Sequence, residues 1–252
     1  MQITNNIHLN KQEINMDKLP VSIDPCPIAE AIFEIRFETS YPGDAIFGII
    51  YKRFKDAFPK VTKMPVLQLP AAIREQDPKL KYTPHYKLSR DDFIIQLGPN
   101  VFSLVNIGQY CGWHAFLDQI NKTYDKIAEL NIIEKHKRTA LRYINVFDET
   151  NIFEKSTLTV NLNRKTLSSL KTNITVEIPH DHGFSTLRMI NFAEARIEKR
   201  MVQGSIIDID TQVATEKCVD FADAINKAHS AEKNLFFSLL QKDFLKTLNP
   251  VY

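Results

Sequence analysis

Glycine is scarce, at seven in 252 residues. Phosphate-cradling loops need glycines close together, and neither GxxxxGK[ST] nor a GxGxxG after a strand occurs. HExxH and GxSxG are missing as well, and together these absences argue against an NTPase, a dinucleotide enzyme and a serine hydrolase of the familiar kinds. Charge of one sign is not in excess: 32 Lys and Arg against 30 Asp and Glu give +2. No global field therefore favours a nucleic acid, an acidic membrane or a polyanionic substrate. The three cysteines, Cys26, Cys111 and Cys218, are odd in number, far apart and in no CxxC pair. They read as reduced, buried thiols in a cytosol rather than as a disulfide or zinc framework. No segment reaches the ~20 apolar residues of a membrane span, and MQITNNIHLNKQEINMDKLP has no signal-peptide core. The expectation is a cytoplasmic protein whose residues 1–18 are a weakly ordered lead-in.

What is present is periodicity. In PIAEAIFEIRFET, Phe33, Ile35 and Phe37 alternate with Glu34, Arg36 and Glu38, which predicts a strand with one apolar face. Phe47, Ile50, Tyr51, Phe54 and Phe58 then form a helical stripe, with Asp44 near its start and Pro59 at its end. Residues 60–85 are rich in Pro and Lys, with VLQLP as a short candidate strand. YKLS, FIIQL and VFSLVNI follow, separated by SRDD and GPN, the punctuation of antiparallel hairpins. A second helix starts near Trp113. KRTALRYINVFDE returns to period two, and NITVEIP, STLRMINFAEARI and GSIIDIDTQVA read as further strands. About thirty residues ending at Asn249-Pro250 read as one long C-terminal helix.

FLDQINK at 116–122 and FADAINK at 221–227 agree at five of seven positions, and each follows a run of strands. This element order suggests an α+β fold of two similar halves, 19–150 and 151–252. Each half would be an antiparallel sheet with amphipathic helices on one face, each motif helix lying on its own sheet.

Several polar groupings could carry chemistry. His180 and His182 in PHDHG are spaced to chelate a metal from an extended segment, but Pro, Asp and Gly there are also what a hairpin turn requires. Asp208 and Asp210 fall on one strand face and could hold a divalent ion, as could any solvated strand face. Cys111 with His114 sits at a helix start; Cys218 and His229, eleven residues apart, would lie ~16 Å apart along a helix and cannot touch. Lys135, Lys137, Arg138 and Arg142 could track a phosphate backbone, with Tyr143 for stacking. Alternatively, Arg142 could meet a carboxylate such as Glu34.

PIAEAIFEIRF, LRYIN at 141–145 and the C-terminal helix with His229 followed by FFSLL resemble a sporadically distributed, uncharacterised bacterial family of about this length. The resemblance spans Pro20 to Leu248 and implies no known reaction or cofactor. Its patchy distribution implies an accessory role in a phage-defence or toxin–antitoxin operon, with a protein partner encoded nearby. The matching polar residues are Glu30, Glu34, Arg36, Arg142, Tyr143, Asn145 and His229. All but Glu30 are the candidate binding residues. The leading expectation is thus a non-catalytic binding subunit without cofactor. A metal-dependent hydrolase or nuclease using Asp208, Asp210, His180 or His182 is one alternative. A small-molecule module lined by Tyr143, Arg142 and Trp113 is the other. Nucleic acid is not favoured as a ligand, and self-association is left open.

Overall fold

The computed structural model describes residues 19–252 except 164, 169–170, 198–199 and 215–216. The lead-in expected over 1–18 lies outside the described residues. The chain forms one antiparallel nine-stranded sheet with amphipathic helices packed on one face; a short helix, α2 (Ala71–Gln76), buries no residue in either core. The α+β class and the one-sided helical layer are as the sequence predicts. The two expected sheets, however, are a single continuous one.

Strand β1 (Ile28–Glu38) buries Ala31, Phe33, Ile35 and Phe37 towards the helices and leaves the alternate residues on the other face, as period two requires. It pairs with β5 (Val101–Ile107) on one side and with β6 (Lys135–Asp148) on the other. Beyond β5 lie β4 (Phe93–Gly98), β3 (Tyr86–Arg90) and the short edge strand β2 (Lys60–Lys63). Beyond β6 lie β11 (Arg200–Val213), β10 (Gly183–Ile197) and the other edge, β9 (Asn173–His180), while β7 (Asn161–Leu162) and β8 (Lys165–Thr166) pair as a separate short hairpin. The order β3-β4-β5-β1 is met by β6-β11-β10-β9. Each side reads as one strand, a helix, a short excursion, a three-stranded meander and a closing helix. β6 and β11 pair from Asp148 opposite Gly204 to Thr139 opposite Val213. A Cβ at Gly204 would stand 2.2 Å from the Phe147 carbonyl oxygen, so the two strands can meet there only around glycine.

Helix α1 (Gly43–Phe54) buries Ile46, Ile50 and Phe54, and α3 (Trp113–Ala128) buries Phe116, Ile120 and Ile127, against β1, β4 and β5. Helix α5 (Phe221–Leu239) is capped by Asp220, whose side chain accepts the Asp223 N–H at 2.8 Å. Ala224, Ile225 and Ala228 enter the same core as α3, and the Phe221 ring stacks on Tyr124 of α3 at 3.5 Å. The two motif helices are therefore neighbours in one core rather than each on its own sheet. Only the far end of α5, with Phe236 and Leu239, reaches the second core of Phe147, Leu187, Met189, Ile207 and Ile209.

Two local readings change, and one short helix is added. The expected thirty-residue helix breaks at Leu240, which buries its side chain and makes an extended bridge to Ser156 before α6 (Lys242–Thr247) begins. VLQ lies in a 3-10 turn (Pro65–Gln68), because Pro65 preorganises a helical start; the strand there is β2, just before it. In the polar stretch after β6, Ile152 and Phe153 form a short helix, α4 (Ile152–Lys155), that is buried in the second core.

Candidate functional site

Two polar constellations stand out, one on each face of the sheet. On the face away from the helices, β1, β6 and β11 present Glu34 and Arg36, Arg138 and Arg142, and Asp208, Asp210 and Gln212. Antiparallel register sets Asp210 opposite Arg142 and Gln212 opposite Ala140, which in turn faces Glu34. Long side chains cross diagonally between these rows. Arg142 donates from Nε and from one terminal nitrogen to both Asp208 oxygens, each at 2.7 Å. This bidentate bond holds Arg142 protonated beyond its ordinary range. Arg138 donates to Gln212 at 2.9 Å, to Asp210 at 2.5 Å and to Glu34. The Glu34 oxygen that Arg138 reaches also accepts Arg36 Nε at 2.8 Å, and the Arg36 guanidinium lies 5.0 Å over the Tyr82 ring. Arg138, with a side chain 13% exposed, is therefore a hub joining the three central strands.

This arrangement answers several sequence expectations. Asp208 and Asp210 do share a strand face, but arginines hold both Asp208 oxygens and one of Asp210, which leaves no pair of acids free to grip a cation. The partner of Arg142 is Asp208; Glu34 belongs to Arg138 and Arg36. In the basic run, Lys137 meets Glu38 at 2.8 Å, and Arg138 and Arg142 are neutralised as described, so three of the four charges expected to track phosphate are engaged within the sheet and Lys135 is exposed. His180 and His182 sit at a tight hairpin, where the His182 N–H donates to His180 Nδ1 at 3.3 Å. Among the described residues, no group of three or more His, Cys, Asp and Glu side chains is arranged to hold a metal ion.

On the helix face the register turns Tyr143 and Asn145 inward. Asn145 donates to the Ile207 carbonyl at 3.2 Å, bridging β6 to β11 inside the protein. Tyr143 is 2% exposed; its hydroxyl is 3.4 Å from that of Tyr110, and the rings meet edge to face. Above them His229 of α5 stacks on Trp113 at 3.7 Å, nearly parallel, with its Nδ1 buried and without a hydrogen-bond partner among the described residues. One turn further along α5 is Glu232, 6% exposed on the apolar stripe of Ile225, Ala228 and Phe236. Burial pushes its carboxyl up to about 8 and pushes the His229 imidazole down to about 4, the latter helped by Lys233 and His114. Burial likewise raises both tyrosine hydroxyls. All four groups are thus held in their neutral forms.

The six candidate binding residues therefore do not converge. Glu34, Arg36 and Arg142 lie on one face, and Tyr143, Asn145 and His229 on the other, with the sheet between them. The trio Tyr143, Arg142 and Trp113 is split in the same way, and stacked rings fill the space at Trp113. A depression of about 200 Å³ lies elsewhere, beside Phe153, Ser156, Leu158 and Gln241. Cys26 and Cys111 are exposed rather than buried, because both lie in loops. Partial desolvation of its sulfur nonetheless raises the Cys111 thiol, the reverse of nucleophile activation. Sequence reasoning missed Arg138 as a hub, and it missed Glu232 and Tyr110 altogether. Glu232 had a signal: an acid at the fourth position after Ala228, on the buried stripe of an amphipathic helix.

Searches against protein-family models and against curated proteins find no match to this chain. Among the described residues, no helix is long and apolar enough to cross a membrane.

Proposed function

We propose that this chain is a non-catalytic binding subunit that docks a protein partner on the charged face of its sheet. The role is an accessory one, of the kind found in phage-defence and toxin–antitoxin operons, in a cytoplasm where its exposed thiols stay reduced. One observation carries the reading: the acids and guanidinium groups of that face are locked to one another through Arg138 and Arg142. Acids so engaged are poor general bases and poor metal ligands, but they form a rigid surface of alternating charge, which favours specific docking. The complementary surface would carry both signs of charge. The similar element order of the two halves also supports an origin by duplication, with the Arg138 hub close to the seam.

The test is titration of the purified protein with the product of the adjacent gene, followed calorimetrically at low and high salt. A complex weakened by salt, and weakened again by Arg142→Ala and Arg36→Ala, is expected. Unchanged affinity in both variants, or metal-dependent turnover of a nucleic acid or ester by the chain alone, would overturn the reading.

A further inference from the structure

The two edges of the sheet are protected differently. β2 is four residues long and begins and ends in Lys, a device that discourages pairing with another chain. β9 is twice as long, NITVEIPH, with no Lys or Arg. Its hairpin to β10 closes over two residues, with His180 opposite Gly183. In such a hairpin the flanking pair is hydrogen-bonded, so Ile174, Val176, Ile178 and His180 bond to β10. Asn173, Thr175, Glu177 and Pro179 consequently turn their backbone groups to the open edge. Proline at 179, without an N–H, fits that assignment. The side chains of Ile174, Val176 and Ile178 are only half-buried against the second core, so the core itself is incompletely covered at this edge.

We propose that β9 pairs antiparallel with β9 of a second copy of this chain, about a two-fold axis at Val176, continuing the sheet across the dimer. The segment is complementary to itself in that register. Ile174 falls opposite Ile178 of the partner copy, and Thr175 opposite Glu177 of the partner copy, with the reciprocal pairs generated by symmetry. Thr175 and Glu177 both present outward backbone groups, so each such pair exchanges two hydrogen bonds. Charge follows the same register. Arg188 on β10 lies between Thr175 and Asp208, whose two oxygens are held by Arg142, is exposed, and among the described residues donates a long bond of 3.4 Å to Asn173. Glu177 of the partner copy would lie two strand spacings away, on the order of 10 Å between backbones, across a small Thr and within the combined reach of the two side chains. Two Arg–Glu pairs would therefore flank the axis, with no like charges directly opposed. This self-complementarity favours a second copy over an unrelated strand.

Sedimentation velocity of the full chain over a wide concentration range tests the proposal. A reversible dimer is expected. Thr175→Pro removes an outward N–H without touching the bonds to β10 and should give a monomer. Glu177→Arg places like charges across the axis and should weaken the dimer by roughly tenfold or more. The double variant Glu177→Arg/Arg188→Glu should restore it. A chain that stays monomeric at hundreds of micromolar overturns the proposal, and so does a dimer that Glu177→Arg leaves intact.

Discussion

Replacing Glu232 by Gln should abolish most of the alkaline loss of stability of this protein. In the unfolded chain the carboxyl ionises near its ordinary value of 4.5, whereas in the fold it stays protonated up to about 8. Between those values the folded state binds the extra proton, so stability is greatest below 4.5, falls as pH rises, and has lost the whole contribution above 8. At about 1.4 kcal/mol per pH unit, the window corresponds to roughly 5 kcal/mol, most of it already lost at pH 7. That is a large share of the 5–15 kcal/mol typical of a folded domain. His229 acts in the opposite sense. Held neutral down to about 4 against an ordinary 6.5, it contributes fully above 6.5 and is lost as pH falls through 4. The stability optimum should therefore fall in the mildly acidic range. The assay is urea unfolding from pH 4 to 9, read by the fluorescence of Trp113, the single tryptophan, whose ring stacks on His229. The two slopes cancel between 4.5 and 6.5, so Glu232→Gln should flatten the fall from 6.5 to 8 and uncover a loss from 6.5 down to 4, whereas His229→Gln should let stability keep rising as pH falls to 4.5. If Glu232→Gln and the parent protein lose stability in parallel from pH 6 to 9, the buried acid is not what sets that slope.

Other consequences can be measured directly. Arg138→Met removes the hub between Glu34, Asp210 and Gln212 and strands Asp210, while Glu34 keeps Arg36; because Asp210 is 26% exposed, the cost should be nearer 2 kcal/mol than the 3–5 of a fully buried pair, read as a lower urea midpoint. Gly204→Ala drives a Cβ into the Phe147 carbonyl and should cost at least about 2 kcal/mol by thermal melting, with amide exchange quickened along β6 and β11. Asn145→Leu leaves the Ile207 carbonyl without its side-chain donor and should lower stability by about 1–3 kcal/mol without altering any surface interaction. In thiol titration of the native protein, Cys26 and Cys111 should react ahead of Cys218, and equal rates for all three would contradict their placement.

Arg138 shows where sequence reasoning stopped. KHKRTALRY reads as a basic run, and only when β11 lies beside β6 do Asp210 and Gln212 arrive to occupy its guanidinium. Glu34 comes from β1, about a hundred residues away in sequence. The family-like residues show the same limit in another form. Arg142, Tyr143 and Asn145 are near neighbours in sequence, but period two sends Arg142 to one face of the sheet and the other two to the opposite face.

Local alternation and helical spacing alone determined the strands around Phe33 and Leu141, the stripes of α1 and α3, the hairpin punctuation and hence the α+β class, because those signals depend on residues one to four positions apart. That the strands join into one sheet, that α5 bridges two cores and breaks at Leu240, and that Glu232 is buried in the interior were decided by tertiary structure. Each depends on which distant surfaces meet, and burial and partner choice, which set the charges and pKa values of this protein, exist only after they have met.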